Sequence, residues 1–167
     1  MKYIILLLLL LFSNILASQS CKTEAQIPSS TPDSFFVDNG NGTISDNSTG
    51  LMWQKCQVGL SGSTCTVGSP LEYSWENSLN EAFSNSLADY NDWRLPNIKE
   101  LMSIVEERCS SPSINSNYFP NMQSSWFWSA TPNISSDNGT WGIEFSFGNF
   151  ASVDRSSLRY IRLVRFE

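Results

Sequence analysis

Histidine is absent from the 167-residue sequence, and charged residues make up only 16% of it. The lack of histidine excludes Ser-His-Asp and Cys-His catalysis, imidazole-ligated zinc and histidine-based pH switching. The low charge content argues against a coiled coil or a charged disordered tail. Basic residues number 10 against 16 acidic ones, a net charge of −6. We therefore expect no nucleic-acid partner, because phosphate recognition needs a basic surface.

A long apolar run occurs only at the start of the chain. Residues 1–20 place one lysine before an apolar run from Tyr3 to Phe12, and small and polar residues follow. The run is shorter than the roughly 20 residues that span a bilayer, so it is typical of a secretory signal peptide. We expect an exported protein that resides in the periplasm, at the outer membrane or cell surface, or outside the cell.

The signal peptide can be cleaved at two kinds of site. Cleavage after Ala17 or Ser18 suits an ordinary signal peptidase, whereas cleavage before Cys21 suits a bacterial lipoprotein with a lipidated cysteine. The polar, Pro- and Ser-rich residues 21–34 are predicted to form a linker or tether. A lipid anchor at Cys21 would be the protein's one contact with a membrane.

Four cysteines are present, and export permits disulfide bonds. Cys56 and Cys65 are nine residues apart with turn-forming residues between them, which favours a local disulfide. Cys109 either pairs with Cys21, which would exclude lipidation, or stays buried and free. A four-cysteine metal site is a further alternative, but the spacing fits no known zinc pattern. We predict no bound metal and no cofactor.

Residues 35–167 are predicted to form one domain of mixed structure. Turn dipeptides separate three short strands, and two helix N-termini follow at Ser74 and at Asn97. The first helix carries apolar residues from Trp75 to Phe83, and the second carries them from Ile98 to Val105. Glu100 completes a capping box with Asn97. The three predicted strands lie near residues 35–38, 42–46 and 50–54.

Strands return in the last third of the chain. Apolar and polar residues alternate from Trp141 to Phe147, and Gly148-Asn149 is predicted to be a two-residue hairpin turn. The whole pattern predicts an α+β fold in which two helices pack on short antiparallel sheets.

Candidate ligand contacts concentrate in the C-terminal third. Trp128 and Trp141 offer flat faces for sugar stacking, and polar side chains for hydrogen bonding are supplied by Asn133, Asp137 and Asn138. The alternatives are that the tryptophans belong to the core and that the polar residues form an ordinary turn.

Basic residues of the same region are candidates for an anion-binding patch, namely Arg155, Arg159 and Arg162. The alternative is that they are surface arginines whose stems pack on apolar neighbours. Asp89 and Asp92 are the best available general acid–base pair, yet they flank a structural turn in which Asp92 and Arg94 could pair. We predict no catalytic residue and no enzymatic activity.

Several segments together resemble one bacterial family. They are VDNGNGTISDNSTGLMWQKC, SWENSLNEA, DWRLPNIKELMSIVE, INSNYFPN, WFWSA and YIRLVR. The resemblance, from Phe35 to Phe166, is to the Lcl C-terminal domain, named after the Legionella collagen-like protein. It implies a C-type-lectin-like fold related to formylglycine-generating enzymes, and a trimeric surface adhesin that binds sulfated glycans. This chain has no Gly-X-Y repeat before the domain.

The resemblance does not extend to the calcium site of sugar-binding lectins of that fold. Thr131-Pro132-Asn133 lacks the carboxylate that the lectin triplet carries, and Asn91-Asp92-Trp93 has the reverse order. We expect an exported or surface-attached binding module, with a glycan (sulfated or neutral) or a host or envelope protein as partner. The alternative is a structural, oligomerising envelope domain with a protein partner.

Overall fold

The computed structural model describes residues 18–167, so the predicted signal peptide lies outside the described residues except for its last three. The helices are α1 (Trp75–Ser84) and α2 (Ile98–Ser103). The strands are β1 (Ser20–Cys21), β2 (Phe36–Asp38), β3 (Thr43–Asp46), β4 (Leu51–Gln54), β5 (Leu60–Ser61), β6 (Val67–Gly68), β7 (Glu72–Tyr73), β8 (Cys109–Ser110), β9 (Trp126–Pro132), β10 (Gly139–Glu144), β11 (Asn149–Asp154), β12 (Arg159–Tyr160) and β13 (Val164–Phe166).

Two sheets carry most of the strands. One has the order β11-β10-β9-β12-β7, and the other has the order β13-β4-β3-β2. All neighbours in them are antiparallel except β9 and β12, which are parallel. The predicted α+β fold, with two helices and short antiparallel sheets, is confirmed. The three strands predicted before residue 55 are also present, as β2, β3 and β4.

The five-stranded sheet is covered on both faces. Alternation along β9 sends Phe127 to one face, where it packs with Ile143 and with residues of α2 and the four-stranded sheet. The next residue, Trp128, points to the opposite face and packs with Trp93 and with Ala82 of α1. Because both faces are covered here, most side chains of β9 and β10 are buried or partly buried.

Both helices begin where the capping signals predict. The Ser74 hydroxyl accepts a hydrogen bond from the Asn77 amide at 3.4 Å, which starts α1. At α2 the Asn97 side chain accepts from the Glu100 amide at 2.9 Å, and the Glu100 carboxylate accepts from the Asn97 amide at 2.7 Å. Helix α2 ends earlier than the apolar pattern predicts, because Val105 forms an isolated bridge with Ile114 instead.

The hairpin of β10 and β11 differs from the predicted two-residue turn. The pairing ends at Glu144 and Asn149, so four residues, 145–148, form the loop. Phe145 leaves the strand because its ring is buried in the core, and its carbonyl accepts a hydrogen bond from the Ser113 amide at 2.6 Å. Gly148 then closes the loop with a φ of 76°.

The segment 21–34 is docked on the domain, in contrast to the predicted tether. Strand β1 pairs with β8, and Cys21 forms a disulfide with Cys109. A sulfur in a disulfide cannot also carry a thioether-linked lipid, so lipidation of Cys21 is corrected to a Cys21–Cys109 bridge. Farther along, Thr31 is buried and its hydroxyl donates to Glu106 at 2.9 Å.

Candidate functional site

Trp128 is buried and cannot contact a ligand. None of its side chain is exposed, and its indole Nε1 donates to the Tyr73 carbonyl at 2.8 Å. The candidate role is therefore corrected: this tryptophan is a core residue, because α1 and its neighbours cover the face of the sheet to which it points. Trp141 is half-buried, and its ring centroid lies 5.9 Å from that of Phe150.

Arg162 is also a core residue and not part of a surface patch. Its side chain is 0% exposed, and Nη1 donates to the carbonyls of Gln54 and Lys55 at 2.6 and 2.5 Å. The guanidinium lies 4.8 Å from the centroid of the Phe119 ring. Burial lowers the pKa of Arg162 to about 9. The predicted ligand contact at Arg162 is corrected for this reason.

The remaining candidate arginines are half-buried and bind partners within the protein. Arg155 lies 4.5 Å from the Trp75 ring centroid and donates from Nε to the Thr140 hydroxyl at 3.1 Å. Arg159 donates from Nη1 to the adjacent Leu158 carbonyl at 2.6 Å. The C-terminal arginines therefore do not turn together toward solvent as an anion-binding cluster would require.

The two aspartates considered for acid–base chemistry have different surroundings. Asp92 forms an ion pair with Arg165, with 2.7 Å between Oδ1 and Nε, and this hydrogen bond lowers the pKa of Asp92. Arg94 pairs with Glu100 at 2.7 Å and not with Asp92. Asp89 is exposed and has a φ of 64°. Asp92 thus links the segment before α2 to β13.

The candidate polar residues of the β9–β10 connection do lie together. The Asn133 side chain accepts from the Ser135 amide at 3.0 Å, and the Asn138 side chain donates to Asp154 at 3.0 Å. Asp137 is exposed in the same turn. These contacts form the turn itself, and Asp137 and Asn138 are the two of the three candidates that are exposed.

A cavity of about 870 Å³ opens elsewhere on the molecule, within the size range of about 300–1,000 Å³ that small-molecule sites occupy. None of the candidate ligand-binding residues lines it. Its walls come from four segments: the β2–β3 turn, the loop 54–63, the residues before α1, and the C-terminal half of α1 with residues 84–87.

The loop 54–63 is rigidly built. The predicted Cys56–Cys65 disulfide is present and closes it. Gly59 has a φ of 93°, and a Cβ at this position would overlap the Ser69 carbonyl oxygen, so only glycine fits there. The Lys55 amide donates to the Gly42 carbonyl at 2.9 Å, which fixes this wall to the β2–β3 turn.

One end of the cavity is polar and internally paired. Lys55 Nζ lies 2.7 Å from Asp38 Oδ2, and Asp38 Oδ1 accepts from the Gly40 amide at 3.0 Å. The hydrogen bond from Lys55 lowers the pKa of Asp38. Beside this pair, Gln54 donates from Nε2 to the Asn85 side chain at 2.9 Å.

Another part of the cavity wall holds a tyrosine and a carboxylate, Tyr73 and Glu81. Burial and the nearby Glu81 charge raise the pKa of Tyr73. The apolar walls are contributed by Val58, Leu60, Leu71 and Leu87. Sequence reasoning missed this site because its walls are distant in the chain. The signal that could have found it is a glycine-rich loop closed by a short disulfide.

Residues 18–167 contain no group of three or more His, Cys, Asp or Glu side chains placed to hold a metal ion. Over the same residues, no helix is both long and apolar enough to cross a bilayer.

Comparison with known proteins gives one family. The sequence profile of the Lcl C-terminal domain matches residues 42–165, which is most of the chain. A search of curated proteins finds no match. The two disulfides require an oxidising compartment, which with this match indicates an extracellular or envelope domain. The family match covers most of the chain, and the chain belongs to the Lcl C-terminal domain family.

Proposed function

We propose that this protein is an exported, non-enzymatic binding module and that the cavity lined by the loop 54–63 binds a glycan. The cavity itself is the observation that carries the proposal. It combines side-chain amides (Gln54 and Asn85), a tyrosine (Tyr73) and carboxylates (Asp38 and Glu81) on walls held by a disulfide. Amides and carboxylates hydrogen-bond sugar hydroxyls, and an aromatic side chain packs on the apolar face of a pyranose.

The charge distribution argues against a sulfated ligand. The chain carries a net charge of −6, and Arg162 is fully buried. In the cavity, the single basic side chain is Lys55, and Asp38 already neutralises it. A sulfate group that entered the cavity would therefore find no unpaired basic side chain among the described residues that line it. A glycan without sulfate is the better fit.

The test is a glycan array probed with the exported, disulfide-bonded protein and with two matched variants. Ser86→Trp places a bulky ring at the cavity wall, where the Ser86 side chain is exposed and makes no hydrogen bond in the described structure. Ser135→Trp makes the same change on the exposed β9–β10 turn. We expect Ser86→Trp to lower the affinity for the array ligand at least tenfold. Ser135→Trp should change this affinity less than twofold.

If Ser135→Trp weakens binding and Ser86→Trp does not, the ligand binds at the turn that holds Asn133, Asp137 and Asn138. An array without any binding by the folded protein would contradict the glycan proposal itself. In both cases circular dichroism and the melting temperature establish that the variants are folded.

An assembly role is the second candidate, and exposed aromatics favour it. Phe147 is 70% exposed and Phe150 is 53% exposed, on the loop and edge strand of the β10–β11 hairpin. Exposed apolar side chains beside an unpaired strand are typical of a contact between chains. A mass that rises with concentration, and that Phe147→Ser with Phe150→Ser lowers to the monomer value, would support this role.

A further inference from the structure

We propose that the cavity recognises a free amino group, so that its glycan ligand contains amino sugars that are not acetylated. This inference rests on the proposed function, and it specifies the chemical class of the ligand at the same site. Glu81 and Tyr73 are the residues that would hold the ammonium group.

The charges of the cavity leave one carboxylate without a counter-ion. Among the described residues, three side chains that are charged at neutral pH line the cavity, namely Asp38, Lys55 and Glu81. Asp38 and Lys55 neutralise each other across 2.7 Å. Within residues 18–167, no Lys or Arg nitrogen lies within 4.0 Å of the Glu81 carboxylate. The Glu81 end of the cavity is therefore negative, which favours a cation over a neutral group.

Tyr73 adds a second polar group beside Glu81 for an ammonium ligand. Tyr73 and Glu81 both line the cavity, and the Glu81 carboxylate interacts with the Tyr73 phenol through charge and a hydrogen bond. An ammonium group at this place would meet a carboxylate oxygen and a phenol oxygen, and both can accept its N–H bonds.

The rest of the cavity suits the remainder of a sugar. Leu71 and Leu87 provide apolar walls in the same cavity. Gln54 and Asn85 offer amide groups that can bind hydroxyls, although one bond already joins these two side chains. The apolar walls also allow a pyranose ring to pack beside its charged substituent.

A pair of oligosaccharides that differ only in acetylation tests the inference. Titration calorimetry would compare a β1,4-linked glucosamine tetrasaccharide with its fully N-acetylated counterpart, at pH 6 and at low and physiological salt. We expect the free amine to bind at least tenfold more tightly. Glu81→Gln should remove that preference, because the neutral amide no longer attracts the ammonium.

Two further variants separate site-specific binding from attraction to an acidic protein. Glu76→Gln removes the same charge from an exposed position on α1, outside the cavity wall, and should leave affinity within twofold. Ser84→Lys adds a cation three residues after Glu81 on the same helix, where it can pair with that carboxylate. It should abolish the preference for the amine without altering Glu81 itself.

Three other results would overturn the amino-sugar inference. Equal affinity for the two oligosaccharides, with Ser86→Trp weakening both, would overturn the inference and retain the proposed function. An equal loss of binding in Glu76→Gln and Glu81→Gln would overturn it as well, because the attraction would then be general. If neither oligosaccharide binds but the array yields another ligand that Ser86→Trp weakens, the amino-sugar assignment alone fails.

Discussion

At the scale of single residues, Glu106 shows how a buried charge anchors the N-terminal segment. It is 2% exposed, and it accepts hydrogen bonds from the hydroxyls of Ser29 and Thr31 at 2.5 and 2.9 Å. Burial raises the pKa of Glu106, but these bonds and those from the backbone outweigh burial and hold the pKa at about 2. Hydrogen bonds from residues 29–31 thus take the place of those that water would donate to the Glu106 carboxylate.

This pKa predicts how stability depends on pH. Because the folded value of about 2 lies below the ordinary 4.5, Glu106 stabilises the fold above pH 4.5 and loses this contribution as the pH falls toward 2. The difference corresponds to roughly 3 kcal/mol. We expect Glu106→Gln to be less stable than the parent at pH 7 and equally stable near pH 2, by urea unfolding.

The exposed neighbour Glu107 supplies the control. Glu107→Gln should leave both the stability at neutral pH and its decline in acid unchanged. A Glu106→Gln variant that keeps the full acid dependence of the parent would show that other carboxylates carry it.

At the scale of elements, α2 is a short helix whose start is fixed by side chains. It has six residues, fewer than an isolated helix needs in water, so caps and packing must stabilise it. Asn97 and Glu100 cap each other's backbone, and Arg94 binds both oxygens of Glu100 at 2.7 and 2.8 Å. The segment before the helix and its first turn therefore form one unit.

Removing the cap should cost a measurable part of the stability. We expect Asn97→Ala to lower the free energy of unfolding by about 1 kcal/mol, since an N-cap side chain typically contributes this much. Lys99→Ala, at an exposed position of the same helix, should change it by less than about 0.5 kcal/mol. Urea unfolding of both variants makes the comparison, and equal effects would contradict the role of the cap.

At the scale of the whole molecule, two disulfides constrain loops of very different length. Cys21–Cys109 spans 88 residues and ties the N-terminal segment to β8, whereas Cys56–Cys65 spans 9 residues and closes one wall of the cavity. The entropy that a bond removes from the unfolded chain grows with the length of the loop it closes. The first bond is therefore expected to stabilise the fold more than the second.

The loop-length argument predicts an order of stability. Replacing Cys21 and Cys109 by serine should lower the free energy of unfolding by about 4–5 kcal/mol, against about 2–3 kcal/mol for Cys56 and Cys65. Denaturant unfolding of the two double variants tests this order. A larger loss in the Cys56–Cys65 variant would show that strain or lost packing, and not loop closure, dominates.

Local features of the fold follow from the sequence. The capping residues Ser74 and Asn97, the strands around the first turns and the Cys56–Cys65 bridge depend on residues close together in the chain. The chemistry of such contacts is complete within a short segment, so a pattern predicts them. Family membership likewise follows from segments that keep their own spacing. The C-type-lectin-like detail stays a prediction.

Tertiary packing decided the rest, above all which side chains are buried. The local sequence around Trp128 and Arg162 does not reveal that they are buried. They are core residues because other elements of the fold cover them. Asp92 meets Arg165 across 73 residues, and Cys21 meets Cys109 across 88. The cavity depends on four segments that approach one another only in the fold. Residue patterns act over a few positions, whereas burial and site geometry arise where distant segments meet.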